Sequence, residues 1–148
     1  MTRKVFFSFH YARDSWRVAK VRNSGVVSGY TKNPFYDKAD WEKVRLRGPD
    51  GVRRWIDDQL AGTSVTVVLV GAKTSSRPWV KYEIEQSIAK GNGLLAIDIS
   101  KIGDRNGDTD NTGINPVPTD YPLYRWNKDC GQKNLGSWIE AAAKAAGR

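Results

Sequence analysis

The chain has 148 residues, 39% of them hydrophobic, with six Trp, one Cys and one His. That is enough apolar material for the core of one domain spanning 1–148 without disulfide or metal staples, and it excludes a disordered chain. The formal charge of +8 favours anionic partners, but the bases (Arg3, Lys4, Arg17, Arg22, Lys43, Arg45, Arg47, Arg53 and Arg54 among them) are dispersed and no nucleic-acid motif gathers them.

The N-terminal apolar run is five residues long before His10, too short for a signal peptide, and no later segment approaches a membrane span. Lys4–Phe9 is a short β-branched and aromatic run that predicts a buried strand. Asp14 or Ser15 is placed to cap a helix running to about Asn23, with Trp16, Ala19 and Val26 in register on its apolar face. From Gly25 to Gly51 the pattern fades into turn chemistry (Gly29, Asn33-Pro34, Gly48-Pro49, Asp50-Gly51), with at most a short strand near Phe35-Tyr36. Val52, Trp55, Ile56 and Leu60 then mark a helical face that Gly62 stops.

Ser64–Val70 (SVTVVLV) is apolar on both faces, as a central strand of a parallel sheet must be. Pro78 suits the first turn of a helix whose stripe is Val80, Ile84 and Ile88, ended by Gly91 and Gly93. Leu94–Ile99 reads as another buried strand, Lys101–Asp120 as a long exposed loop, and Leu123–Trp126 as a short strand. A last helix from Asn134 carries Leu135, Trp138 and Ile139 on one face. Cys130 cannot form an internal disulfide, and one Cys with one His makes no ordinary zinc cluster, so a reducing compartment and no metal are expected.

Alternating strands and helices without repeat or linker predict an α/β, flavodoxin-like three-layer sandwich with a mostly parallel sheet of five strands. Ligands of such sheets bind beyond the carboxyl ends of the strands. Phe9-His10-Tyr11, the loop near Asp37–Trp41 and Gly71–Arg77 therefore gather at one crevice. Three patterns there bear on chemistry. In RPWVKYE, Trp79 and Glu83 are one helical turn apart and offset by about 100° from the Val80 stripe, which puts Glu83 at its border. Spacing alone fits an ordinary amphipathic helix with a solvated glutamate at least as well. In FFSFHYARD, a strand end delivers Ser8, Phe9, His10 and Tyr11 to the crevice mouth, where His10 serves either the site or the packing. In GAKTSS, small residues and hydroxyls with Lys73 and Thr74 suit a phosphate, although neither the P-loop nor the dinucleotide spacing is present.

Taken together, KVFFSFHYARD, TSVTVVLVGAKTSSRPWVKYEI and KGNGLLAIDI resemble the TIR domains, and more closely the TIR-like sensor-cyclase group of bacterial Thoeris antiphage systems. The resemblance covers Arg3–Ile99, with Trp41-Glu42 and the Val52–Leu60 helix in its middle section, and it is loose in the last third. It implies a cytoplasmic enzyme that takes NAD as substrate, needs no cofactor, and uses Glu83 as the catalytic carboxylate with His10 beside it. It further implies Ser8, Phe9, Tyr11, Trp41, Lys73, Thr74, Arg77 and Trp79 as substrate contacts. The implied product is a cyclic ADP-ribose-type messenger that reaches a separate effector protein. The sequence departs from the general TIR pattern at His10 and Tyr11, where many members have Tyr or Ser, and at Val80, where Cys is common. Two other readings stay open at this point: a non-catalytic module that works by self-association, and a basic nucleotide or nucleic-acid binder.

Overall fold

The computed structural model describes residues 4–22 and 38–148. Its centre is a sheet of strands β1 (Val5–Ser8), β2 (Val65–Val70), β3 (Gly93–Asp98) and β4 (Leu123–Arg125), in that order and parallel throughout. The fold is thus the expected α/β sandwich, with four strands among the described residues instead of five. The strand anticipated near Phe35-Tyr36 lies outside the described residues. Every residue of β1, β2 and β3 is buried, the signature of strands covered on both faces. Val65, Val67 and Leu69 of β2 join a large core with the helices α1 (Tyr11–Arg22), α3 (Gly48–Leu60) and α5 (Gly131–Ala145). Val68 and Val70 point the other way, to Val80 and Ile84 of α4 (Pro78–Lys90).

Several boundaries differ from the sequence reading, each for a local reason. Helix α1 begins at Tyr11, before Asp14, because His10 is its cap: its carbonyl accepts from the Asp14 amide at 2.9 Å, and its Nδ1 accepts from the Arg13 amide at 3.3 Å. The earlier start turns Asp14, Arg17, Val18 and Val21 inward and leaves Trp16 49% exposed, not on the buried face. Val26 lies outside the described residues. Residues read as turn chemistry form α2 (Lys38–Arg45), whose only buried side chains among those described are Trp41 and Val44. Two apolar positions one turn apart are too few to show a period. Gly48-Pro49 is a turn and also a helix start, with Gly48 at φ +79° reversing the chain and Pro49 in the first turn of α3.

In α4 the buried positions are Val80, Glu83, Ile84 and Ser87, while Ile88 is 40% exposed. Steps of four residues advance 40° beyond a full turn, so a Val80–Ile84–Ile88 row drifts off the core. The alternating three- and four-residue steps stay on it. Helix α5 starts three residues earlier than expected, with Leu135, Trp138 and Ile139 buried as anticipated. The 101–120 segment has no regular elements, yet it is not simply exposed: Ile102 and Val117 are buried. Among the described residues no helix is long and apolar enough to cross a membrane.

Candidate active site

At the carboxyl end of β1, Ser8 and Phe9 are still part of the interior. Ser8 sits in register with Val68 on β2, so its backbone is fixed by the sheet, and its hydroxyl donates to Glu83 Oε1 at 2.9 Å. Glu83 is 0% exposed. It does not lie at the border of the α4 stripe but faces inward, and among the described residues its Oε2 has no hydrogen-bond partner. Burial pushes its carboxyl up to about 8 against the smaller opposing pull of the Ser8 hydroxyl. A buried acid without a counter-charge is costly to a fold, and such groups concentrate at functional sites.

Above the carboxyl lies a cleft of about 30 Å³. Its walls are aromatic: Phe9 tilts against Tyr11 with centroids 4.3 Å apart, and Tyr11 stacks on Trp41 at 4.8 Å and 15°. Trp79 forms another wall, held edge-on by Tyr82 and carrying the Arg53 guanidinium 5.8 Å from its centroid. His10, Arg45 and Arg77 supply the polar rim. Burial first, then the charges of Arg77 and Arg13, keep the His10 imidazole below its usual pKa, so the ring is neutral near pH 7. With Nδ1 accepting from the Arg13 amide, the ring proton is assigned to Nε2, which makes His10 a hydrogen-bond donor to anything entering the cleft.

Most of the residues singled out from the sequence therefore converge: Glu83, Ser8, Phe9, His10, Tyr11, Trp41, Arg77 and Trp79. Lys73 and Thr74 stand apart. Lys73 is exposed and outside the cleft lining, and the Thr74 hydroxyl is buried, accepting from the Gly71 amide at 2.8 Å and reaching Asp14 at 3.5 Å. The Asp14 carboxylate fills the space a Cβ on Gly71 would need, and the Gly71 amide is already taken by the Thr74 hydroxyl. Arg45 is the residue missed. Its signal was the four-residue step from Trp41, legible only once α2 is recognised as a helix.

A second cluster of charge holds the neighbouring loop. Arg17, almost fully buried, donates from Nε to the Ile102 carbonyl at 2.8 Å and from Nη2 to the Asp108 carbonyl at 3.0 Å. Arg17 and Arg13 both reach Asp110, at 2.8 and 2.7 Å, and both approach Asp14 at 3.5 and 3.4 Å. The Arg13 hydrogen bond holds the Asp110 carboxyl below the usual range. Among the described residues no three His, Cys, Asp or Glu side chains are grouped as metal ligands.

These elements recur in known proteins. Residues 6–104, from β1 through β3 and into the following loop, match the family described as "Thoeris protein ThsB, TIR-like domain". A protein of Bacillus cereus (strain MSX-D12) named "Putative cyclic ADP-D-ribose synthase ThsB1" is 38% identical over 140 residues, which cover 93% of this chain and 72% of that relative. The chain belongs to the ThsB family of TIR-like domains.

Proposed function

We propose that this chain cleaves the bond between nicotinamide and ribose in NAD, with Glu83 as the catalytic carboxylate, and closes the remaining ADP-ribose into a cyclic messenger. The observation that carries the reading is a fully buried carboxyl with one unpartnered oxygen beneath a wall of aromatic rings. The name of the Bacillus cereus relative, a cyclic ADP-D-ribose synthase, supports the same reaction class.

The chemistry suits this group. Loss of nicotinamide builds positive charge on the ribose, and an oriented carboxylate stabilises that charge as in glycoside cleavage. Free Glu83 is largely protonated at neutral pH; a nicotinamide ring, cationic in NAD, brings a positive charge that favours the anion. The proton leaves as the substrate binds, and nicotinamide departs as a neutral amine that needs no strong general acid. Arg45 and Arg77 are placed for the pyrophosphate, the rings of Tyr11, Trp41 and Trp79 for a planar base, and the His10 Nε2 proton for a substrate oxygen. A site that excludes water favours attack by a nucleophile within the substrate, hence a cyclic product that acts on a separate effector. NAD as substrate and a lone cysteine both fit a cytoplasmic protein.

Ligand sites of this kind occupy about 300–1,000 Å³, whereas the cleft holds about 30 Å³. Substrate entry therefore requires the stacked rings of Tyr11 and Trp41 to part. The test is to incubate the protein with NAD, with and without an infection-derived trigger, and to follow nicotinamide by chromatography and the nucleotide product by mass. Release by wild type and none by Glu83→Gln is expected. Equal rates in the two proteins under the triggered condition would reject the assignment.

A further inference from the structure

Glu83 is anchored at both of its ends, the backbone within α4 and the carboxyl from the sheet. Its backbone carbonyl accepts from the Ser87 hydroxyl at 2.7 Å, and Ser87 is tied to the Thr66 hydroxyl of β2, also at 2.7 Å. Helix α4 is thereby pinned in rotation against the sheet at the residue that matters. The carboxyl end is pinned by Ser8, which is 0% exposed and the last residue of a central-layer strand. A hydroxyl held on a strand orients its partner more tightly than one on a loop.

Resting on the reading of Glu83 given above, we propose that Ser8 is the positioning residue of the Glu83 carboxyl. It fixes Oε1 so that Oε2 is the oxygen presented to substrate, and among the described residues it is the one side chain that hydrogen-bonds the carboxyl. In this role the Ser8 hydroxyl acts on Glu83, to which it donates, and through it on the substrate. The other titratable groups on the cleft are His10 and Tyr11 from the β1–α1 junction, Arg45 from α2 and Arg77 before α4. Among the described residues none of them hydrogen-bonds the carboxyl. Without Ser8 no side chain among the described residues would hydrogen-bond the carboxyl, and packing would set its torsion.

The experiment reads Glu83 directly. Protein labelled with 13C at the glutamate δ-carbon has four carboxyls to follow, Glu42, Glu83, Glu85 and Glu140, and Glu83 is assigned by its loss in Glu83→Gln. In wild type the Glu83 resonance should titrate with a midpoint of about 8. Ser8→Ala should move that midpoint up by about one to two pH units, and Ser8→Thr, which keeps the hydroxyl, should return it toward the wild-type value. In the triggered enzyme Ser8→Ala should lower kcat by about tenfold with KM unchanged. An unshifted midpoint in folded Ser8→Ala overturns the proposal. If that variant does not fold, wild-type protein decides the matter: a buried, bonded Ser8 hydroxyl proton should exchange slowly and show a through-space contact to Glu83, and its absence overturns the proposal equally. The titration needs no NAD, so the two readings fail separately. A shifted midpoint with NAD cleavage indifferent to Glu83→Gln rejects the reaction, whereas an unshifted midpoint with cleavage lost in Glu83→Gln rejects the role of Ser8.

Discussion

Asp14 and Glu83 are both fully buried beside the carboxyl ends of the strands, and the protein treats them in opposite ways. Asp14 lies within 3.5 Å of two arginines that also grip Asp110 and two backbone carbonyls, so its charge is answered on several sides. Burial still raises its pKa, but Arg13 and Arg17 pull the other way. Among the described residues Glu83 has a single hydroxyl and an oxygen without a partner. A compensated carboxylate is a structural tie, because its network fixes the 101–113 loop onto α1. An uncompensated one is held protonated by its burial until a positive charge comes beside it.

The sharpest way to break this contrast is Glu83→Gln. In the triggered enzyme it should lower nicotinamide release at least a thousandfold, on the order of a lost transition-state charge contact. It should also flatten the dependence of stability on pH. Glu83 has a folded pKa of about 8, above its ordinary value of 4.5, so the folded protein binds more protons than the unfolded chain between those limits. Stability conferred below pH 4.5 is thus lost as pH rises toward 8, by on the order of 4 kcal/mol. Urea unfolding at pH 5 and pH 8.5 should show the loss in wild type and little of it in Glu83→Gln; parallel slopes in the two proteins would contradict the buried-acid assignment.

Next in size is Arg17→Met. Removing the guanidinium strands Asp14 and the carbonyls of Ile102 and Asp108, and should destabilise the fold by about 3–5 kcal/mol. A loss under 1 kcal/mol would mean that the cluster is not a tie. His10→Ala should cost about 1 kcal/mol through the lost cap of α1, with His10→Asn restoring most of it, since Asn caps well. Thermal unfolding distinguishes these, and equal midpoints for all three proteins would place His10 outside the capping role. The smallest effect on stability belongs to Arg45→Ala. Its pair with Glu42 is solvent-exposed and contributes under about 1 kcal/mol, yet the variant should raise KM for NAD several-fold. An unchanged KM would remove Arg45 from the site.

The layered α/β fold was legible because β2 and β3 are long apolar runs and because α3, α4 and α5 carry clear stripes. What stayed hidden has a common physical cause. Glu83, Ser87, Asp14 and Arg17 are polar residues on buried faces, and hydrophobic periodicity assigns polar residues outward. In α1 this misread the phase and put Trp16 inside; in α4 it chose Ile88 over Ser87. The cap was missed for a related reason, since His10 does what Ser, Thr, Asn or Asp usually does. Spacing brought Trp79 and Glu83 together but could not tell a boundary carboxylate from a buried one, and the family resemblance implied a role for Glu83 without its burial. Helix α2 escaped because Trp41 and Val44 alone make no period, and with it went Arg45.

The hydrogen bond from Ser8 to Glu83 joins residues 75 positions apart, and the grip of Arg17 on Ile102 spans 85. Both close loops that exist only when most of the domain has been made. At synthesis rates of about 5–20 residues per second, several seconds separate the emergence of β1 from that of α4. During that interval Val5, Phe6 and Phe7 have no sheet to join and are open to chaperones. The Glu83 carboxyl, meanwhile, has neither its burial nor its raised proton affinity. A nascent chain therefore has an ordinary, solvated glutamate at position 83, and the buried acid appears only with the assembled sheet and α4.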